Sequence, residues 1–190
     1  SSAVDSIVHS TEAYVAQKAN SLSRFFAKEG FVLACTSLEQ AICEEKALEP
    51  RCKLALASLF AALAMMHSGT GPAAAMSYPM GVRYSVPHGF AGGIFLPFVA
   101  QITRESGCEI HQDLITGIET KNSNYPQFVS ALWARVGMPN DIEKMGLTTE
   151  ENNAFVEDTL KLSGALEQHP VPFEKQQILM VIDRMRKSRK

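Results

Sequence analysis

The sequence predicts an all-α fold: a helical bundle with no sheet. Three observations carry this. Apolar residues recur at helical spacing along most of the chain, no segment alternates convincingly between apolar and polar as a half-buried strand would, and proline and glycine fall between the periodic segments. At 190 residues the chain fits one domain and can bury a core.

Taken in order, the first helix runs from about residue 3 to 19 with Ser2 as its N-cap, and Asn20 and Ser21 break it. A second helix covers about 22 to 46. Pro50 suits the first turn of a third, about 50 to 67, whose LALASLFAALAMM core is apolar almost all round and so is expected at the centre of the bundle. Gly69-Thr70-Gly71 stops it. A short helical piece at about 73 to 78 leads through Pro79 and Gly81 to Val86-Pro87-His88-Gly89, and residues 90 to 104 form another apolar helix. Shorter amphipathic helices are expected near 109–119, 125–136, 148–162 and 173–187, with Pro126, Pro139, Pro170 and Pro172 at their starts or between them.

The formal net charge of -2 gives no electrostatic reason to expect nucleic acid or an anionic membrane as partner. The basic run from Arg184 to Lys190 reads as cations at the end of a last helix, complementing its dipole. No apolar run reaches the roughly 18 residues of a membrane span. Cys35, Cys43, Cys52 and Cys108 form no CxxC pair and read as small buried hydrophobes in a reducing compartment, so a cytoplasmic location is expected. The chain begins without Met or a signal peptide, as if entering a helix in mid-protein, and a preceding domain is expected.

There is no GxGxxG after a strand, no P-loop, no GxSxG elbow and no HExxH. The first informative constellation is Asp5 and His9. A spacing of four stacks a carboxylate and an imidazole on one helix face, which suits two ligands of one divalent ion and equally suits an exposed local contact. In Val86-Pro87-His88-Gly89 the proline fixes the approach and the glycine admits close packing, so His88 projects from a rigid turn, as ligand or as structural residue. His67, His111 and His169 read as structural.

In combination, Asp5, His9, Glu12-Ala13-Tyr14, Ala57-Ser58-Leu59-Phe60-Ala61-Ala62, Gly69-Thr70-Gly71, Ser77-Tyr78-Pro79-Met80-Gly81 and the ProHisGly turn resemble, in order and interval, the iron-containing alcohol dehydrogenase family. The similarity is densest over residues 3–100 and continues loosely through Val136-Gly137-Met138-Pro139 and the segment from His169 to Glu174. The resemblance implies the helical C-terminal domain of that family, which holds Fe²⁺ or Zn²⁺ through one Asp and three His. Asp5, His9 and His88 fall on three of those positions. The fourth, fourteen residues before His88, is Ala74, whose methyl cannot coordinate a metal. Tyr78 falls on a position that faces the substrate pocket.

The resemblance further implies NAD(P), bound by an N-terminal domain absent from this chain, and a small-molecule alcohol or carbonyl substrate. Two other readings stand beside it: a non-catalytic helical module that has lost the metal, favoured by Ala74, and a half of a dehydroquinate synthase-like lyase. The isolated domain is expected to fold but not to turn over substrate alone, and its newly exposed cleft-facing surface is expected to favour homodimerisation or aggregation.

Overall fold

The computed structural model describes residues 1–44 and 46–188. Ten helices follow one another among them, with no strand: α1 (Ser2–Val15), α2 (Ser21–Cys43), α3 (Leu48–Ser68), α4 (Pro72–Tyr84), α5 (His88–Glu105), α6 (Gln112–Ile115), α7 (Tyr125–Arg135), α8 (Asn152–Leu160), α9 (Ser163–Leu166) and α10 (Lys175–Lys187). The all-α expectation holds. No single helix is long and apolar enough to cross a membrane.

The centre of the bundle is α1, which packs against α2, α3, α4 and α5 and buries ten of its fourteen residues. Its neighbour α5 buries twelve of eighteen, among them Ile94, Phe95, Leu96, Val99 and Ile102. Two glycines set how closely the pair approach. A Cβ on Gly92 would meet Val8 at 3.3 Å, and one on Gly93 would collide with Val4 of α1 and crowd Met138. Trp133 of α7 closes the same spot, its indole N–H donating to the Gly93 carbonyl at 2.8 Å. This close contact brings His88, at the N-terminus of α5, to the first turns of α1.

α3 corrects the sequence reading. It does not lie at the centre of the core; it buries only Pro50, Ala57, Ala61, Ala64 and Ser68, and turns Leu48, Leu56, Leu59 and Met66 outward. Its inward face is a row of small residues, and the backbone comes near enough to α2 that a Cβ on Gly30 would meet the Ala57 carbonyl at 3.1 Å and the Ala61 nitrogen at 3.2 Å. The cysteines differ as well. Cys35 is buried, but Cys43 and Cys52 are exposed and Cys108 is half-buried.

Boundaries moved for local reasons. The first helix starts with Ser1 as N-cap, not Ser2, and stops at Val15 because Ala16 is extended; Asn20 then caps α2 through its side chain, accepting from the Leu22 and Ser23 N–H groups. α4 runs past Pro79 to Tyr84, since burial of Met76, Ser77, Pro79 and Met80 outweighs the one backbone bond that proline removes. The segment expected at 109–119 contains only the single turn of α6, and the one expected at 148–162 contains only α8, with the short α9 following it at Ser163–Leu166. In the basic C-terminal run, Arg184 makes a two-pronged contact with Glu105 of α5, at 3.0 and 2.6 Å, and Arg186 donates to the Leu147 carbonyl and to Asn152. Arg189 and Lys190 lie outside the described residues.

Candidate metal centre

Asp5 and His9 stand one turn apart on α1, as their spacing predicts, with His9 Nε2 3.5 Å from Asp5 Oδ1. His88 approaches the same oxygen from α5, its Nε2 at 3.7 Å. One ligand atom from each of the three residues lies within 4.8 Å of the other two. Metal bonds near 2.1 Å place the ligands of a tetrahedral ion about 3.4 Å apart. Two of the three separations are close to that edge and the third lies within 4.8 Å, so closing on a small divalent ion would draw the three side chains slightly together.

The protonation of His9 suits the same use. Burial holds the His9 imidazole below its ordinary pKa against the opposing pull of Asp5, with His88 adding to the lowering, so His9 is neutral at neutral pH and keeps a lone pair. Its Nδ1 is buried with no hydrogen-bond partner. For His88 the second ring nitrogen is occupied. Ser77 Oγ donates to the Ala74 carbonyl at 2.7 Å and lies 3.4 Å from His88 Nδ1. With the hydroxyl proton committed to the carbonyl, Ser77 is placed to accept from an Nδ1–H, and Nε2 is the ring nitrogen that faces Asp5.

Ala74, at the position where a histidine is expected, is buried and contributes through its backbone alone. Its carbonyl holds Ser77, and its N–H points to Glu12. That glutamate, one turn beyond His9 on the same face of α1, accepts from the N–H groups of Gly71 at 2.8 Å, Ala73 at 2.6 Å and Ala74 at 3.3 Å. It is a carboxylate cap for α4, donated by a different helix. The Glu12 pKa is pushed up to about 7, because burial outweighs the lowering by the three backbone donors, with Asp5 adding a smaller upward push. Glu12 stood in the sequence motif without a role, and Ser77 was not singled out. Neither role has a local signature, because each partner lies on another element or depends on one that does.

Tyr78 is 55% exposed and sets its ring edge-on to His88, with centroids 5.6 Å apart. It also borders a cavity of about 340 Å³ lined by Thr70, Ala75, Lys161, Leu162 and Ala165. His67 is exposed at the end of α3 and is not one of the three converging residues. His111 and His169 are buried elsewhere: His169 Nε2 lies 2.7 Å from Thr103 Oγ1, and the two imidazoles sit 6.4 Å apart.

Residues 1–185 match the family model for the C-terminal part of the Fe-containing alcohol dehydrogenase family. The chain belongs to that family. It is 28% identical over 167 residues to 1,3-propanediol dehydrogenase of Klebsiella pneumoniae, a match covering 83% of this chain and 43% of that one. Among solved structures, a 1,3-propanediol oxidoreductase superposes with a TM-score of 0.86 at 24% identity, covering 96% of this chain and 50% of the other. Sulfoacetaldehyde reductase from Bifidobacterium kashiwanohense, solved with NAD⁺, superposes at 0.85 with 23% identity, covering 96% and 48%. The chain thus spans about half the length of the relatives it matches.

Proposed function

We propose that this domain is the metal-binding half of an alcohol dehydrogenase-type oxidoreductase that interconverts an alcohol with an aldehyde or ketone, with Asp5, His9 and His88 as ligands of Fe²⁺ or Zn²⁺. The observation that carries the reading is the convergence of three donor atoms from α1 and α5 within 4.8 Å. Such an ion, when bound, favours the alkoxide of an alcohol and polarises the carbonyl of the product. Hydride exchange requires NAD(P), which a nucleotide-binding domain outside these residues would hold; the sulfoacetaldehyde reductase with the same fold was solved with NAD⁺.

The chain's own residues divide the remaining work. Asp5 would supply the oxygen donor of the site and the two imidazoles its nitrogen donors. Ser77 fixes the His88 tautomer, and Glu12 fixes the helix that carries Ser77. Tyr78, between His88 and the cavity beside it, lines the path of a small alcohol or carbonyl compound.

Ala74 favours a second reading, a helical module that has lost the metal. Zinc titration of the purified chain, followed by calorimetry and elemental analysis, separates the two. One zinc per chain at most is expected, with affinity falling at least tenfold in His9→Ala and His88→Ala and less in Ser77→Ala. Zinc uptake no different from that of the His9→Ala/His88→Ala double variant would leave the second reading.

A further inference from the structure

The cavity beside Tyr78 has one charged wall. Its lining is apolar along Ala75, Leu162 and Ala165 and polar at the hydroxyls of Thr70 and Tyr78; the one charged residue among the described lining is Lys161, where α8 ends. No carboxylate is among them. Glu12 approaches the same stretch of α4 but is buried against the N–H groups of Gly71, Ala73 and Ala74. It therefore neutralises the positive end of that helix and leaves Lys161 as the positive charge at the cavity. Lys161 Nζ lies 2.6 Å from Asp158 Oδ1, yet the same carboxylate takes the Arg83 fork, with Nε and one terminal nitrogen each 2.6 Å from Oδ2. With Arg83 holding Asp158, the Lys161 side chain, 73% exposed, has N–H donors to spare and the freedom to turn them inward.

We propose that the substrate of this site is a short-chain alcohol or aldehyde carrying an anionic group, a carboxylate or a phosphonate, at the end remote from the reacting carbon, and that Lys161 selects it. Tyr78 links the two ends: its ring stands edge-on to His88 and also walls the cavity. A molecule lying along Tyr78 thus presents one end to the three converging donors and the other to Lys161. At about 340 Å³ the cavity is at the small end of ligand pockets, which suits a short chain. An ammonium is a compact point charge, so it accepts a carboxylate or a phosphonate without the planar match an arginine prefers. The inference rests on the alcohol dehydrogenase reading for the reacting end, and on Lys161 for the charged end.

NMR titration of the 190-residue chain at low salt tests it, with 4-hydroxybutyrate, 3-hydroxypropylphosphonate and neutral 1,4-butanediol as probes. The zinc-loaded chain should bind at least one of the anions about threefold or more tighter than the diol, with the amide signals of Thr70, Tyr78 and Lys161 moving, and the preference should fade as salt is added. The tighter anion identifies the group. Lys161→Met, at an exposed position, should keep the helical circular dichroism and abolish the preference, and Lys161→Arg should retain it. Lys144→Met, at an exposed lysine away from the cavity, should leave it unchanged. Butyrate and propylphosphonate against 1-butanol, titrated without zinc, read Lys161 apart from the metal. An anion preference there, in a chain that takes up no zinc, would sink the metal reading and keep the Lys161 subsite. Equal affinity for diol and anions, no binding of any probe, or a preference that survives Lys161→Met overturns the proposal.

Discussion

α3 and α5 are the two most apolar long helices of the chain, and they have opposite fates. α5 puts its large side chains inward, with Phe95 against Phe155 of α8, while α3 puts alanines inward and leucines outward. The difference lies in which residues fall on the inward stripe, not in how apolar each helix is. Ala57, Ala61, Ala64 and Ser68 recur at intervals of four, three and four, and they let α3 approach backbone to backbone. α5 uses glycine only where it crosses α1, and fills the rest of its face with bulk. A helix that is apolar all round has two candidate inner faces, and the smaller residues can win.

Phe95→Ala should therefore be among the most damaging substitutions, at roughly 3–5 kcal/mol, whereas Leu59→Ala should change the stability of the monomer by no more than about 0.5 kcal/mol. Urea unfolding of both variants, extrapolated to low protein concentration, measures the contrast. Equal losses would mean that α3 is as deeply engaged as α5.

The polar contacts of α5 can be probed by pH. Thr103 anchors His169, and burial lowers the pKa of His169 to about 3, with His111 a second cause; burial alone lowers His111 to about 4. Both lie below the ordinary 6.5, so as pH falls the unfolded chain takes up protons that the native chain refuses. The stability is complete above pH 6.5 and is lost as pH drops towards 4, by about 3 kcal/mol for His111 alone. Denaturant midpoints at pH 7 and pH 4.5 should differ markedly less in His111→Gln than in the parent; an identical difference would assign the loss to other groups.

Gly30→Ala tests the α2–α3 contact from the other side. Its methyl would meet Ser10 Oγ at 2.9 Å and the backbone of α3 just beyond 3 Å, and neither helix can yield without moving. A loss of roughly 1–3 kcal/mol is expected in thermal unfolding. A neutral result would show that α3 is loosely seated.

Helical periodicity made the fold class legible; the i,i+4 spacing put Asp5 and His9 on one face, and the family resemblance, not the spacing, added His88 as the third candidate ligand. The location of α3 was not legible, because a pattern that is apolar on every side does not state its orientation. Cys43 and Cys52 were misjudged for the same reason: each was assigned by its apolar neighbours, although its own position faces outward. Glu12 illustrates a different limit. Its carboxylate meets the N-terminus of a helix about sixty residues away, an encounter that only the packed structure defines.

The tight seat of Gly89 has a practical corollary. A side chain there would collide with the carbonyl of Ser1, so the first residue lies against the turn that presents His88. Any peptide joined ahead of Ser1 therefore starts within a few residues' reach of the three converging donors. A polyhistidine purification tag at that end would offer imidazoles of its own to the ion and blur every zinc titration. Placed after α10, or cleaved before measurement, the tag would leave the stoichiometry to Asp5, His9 and His88.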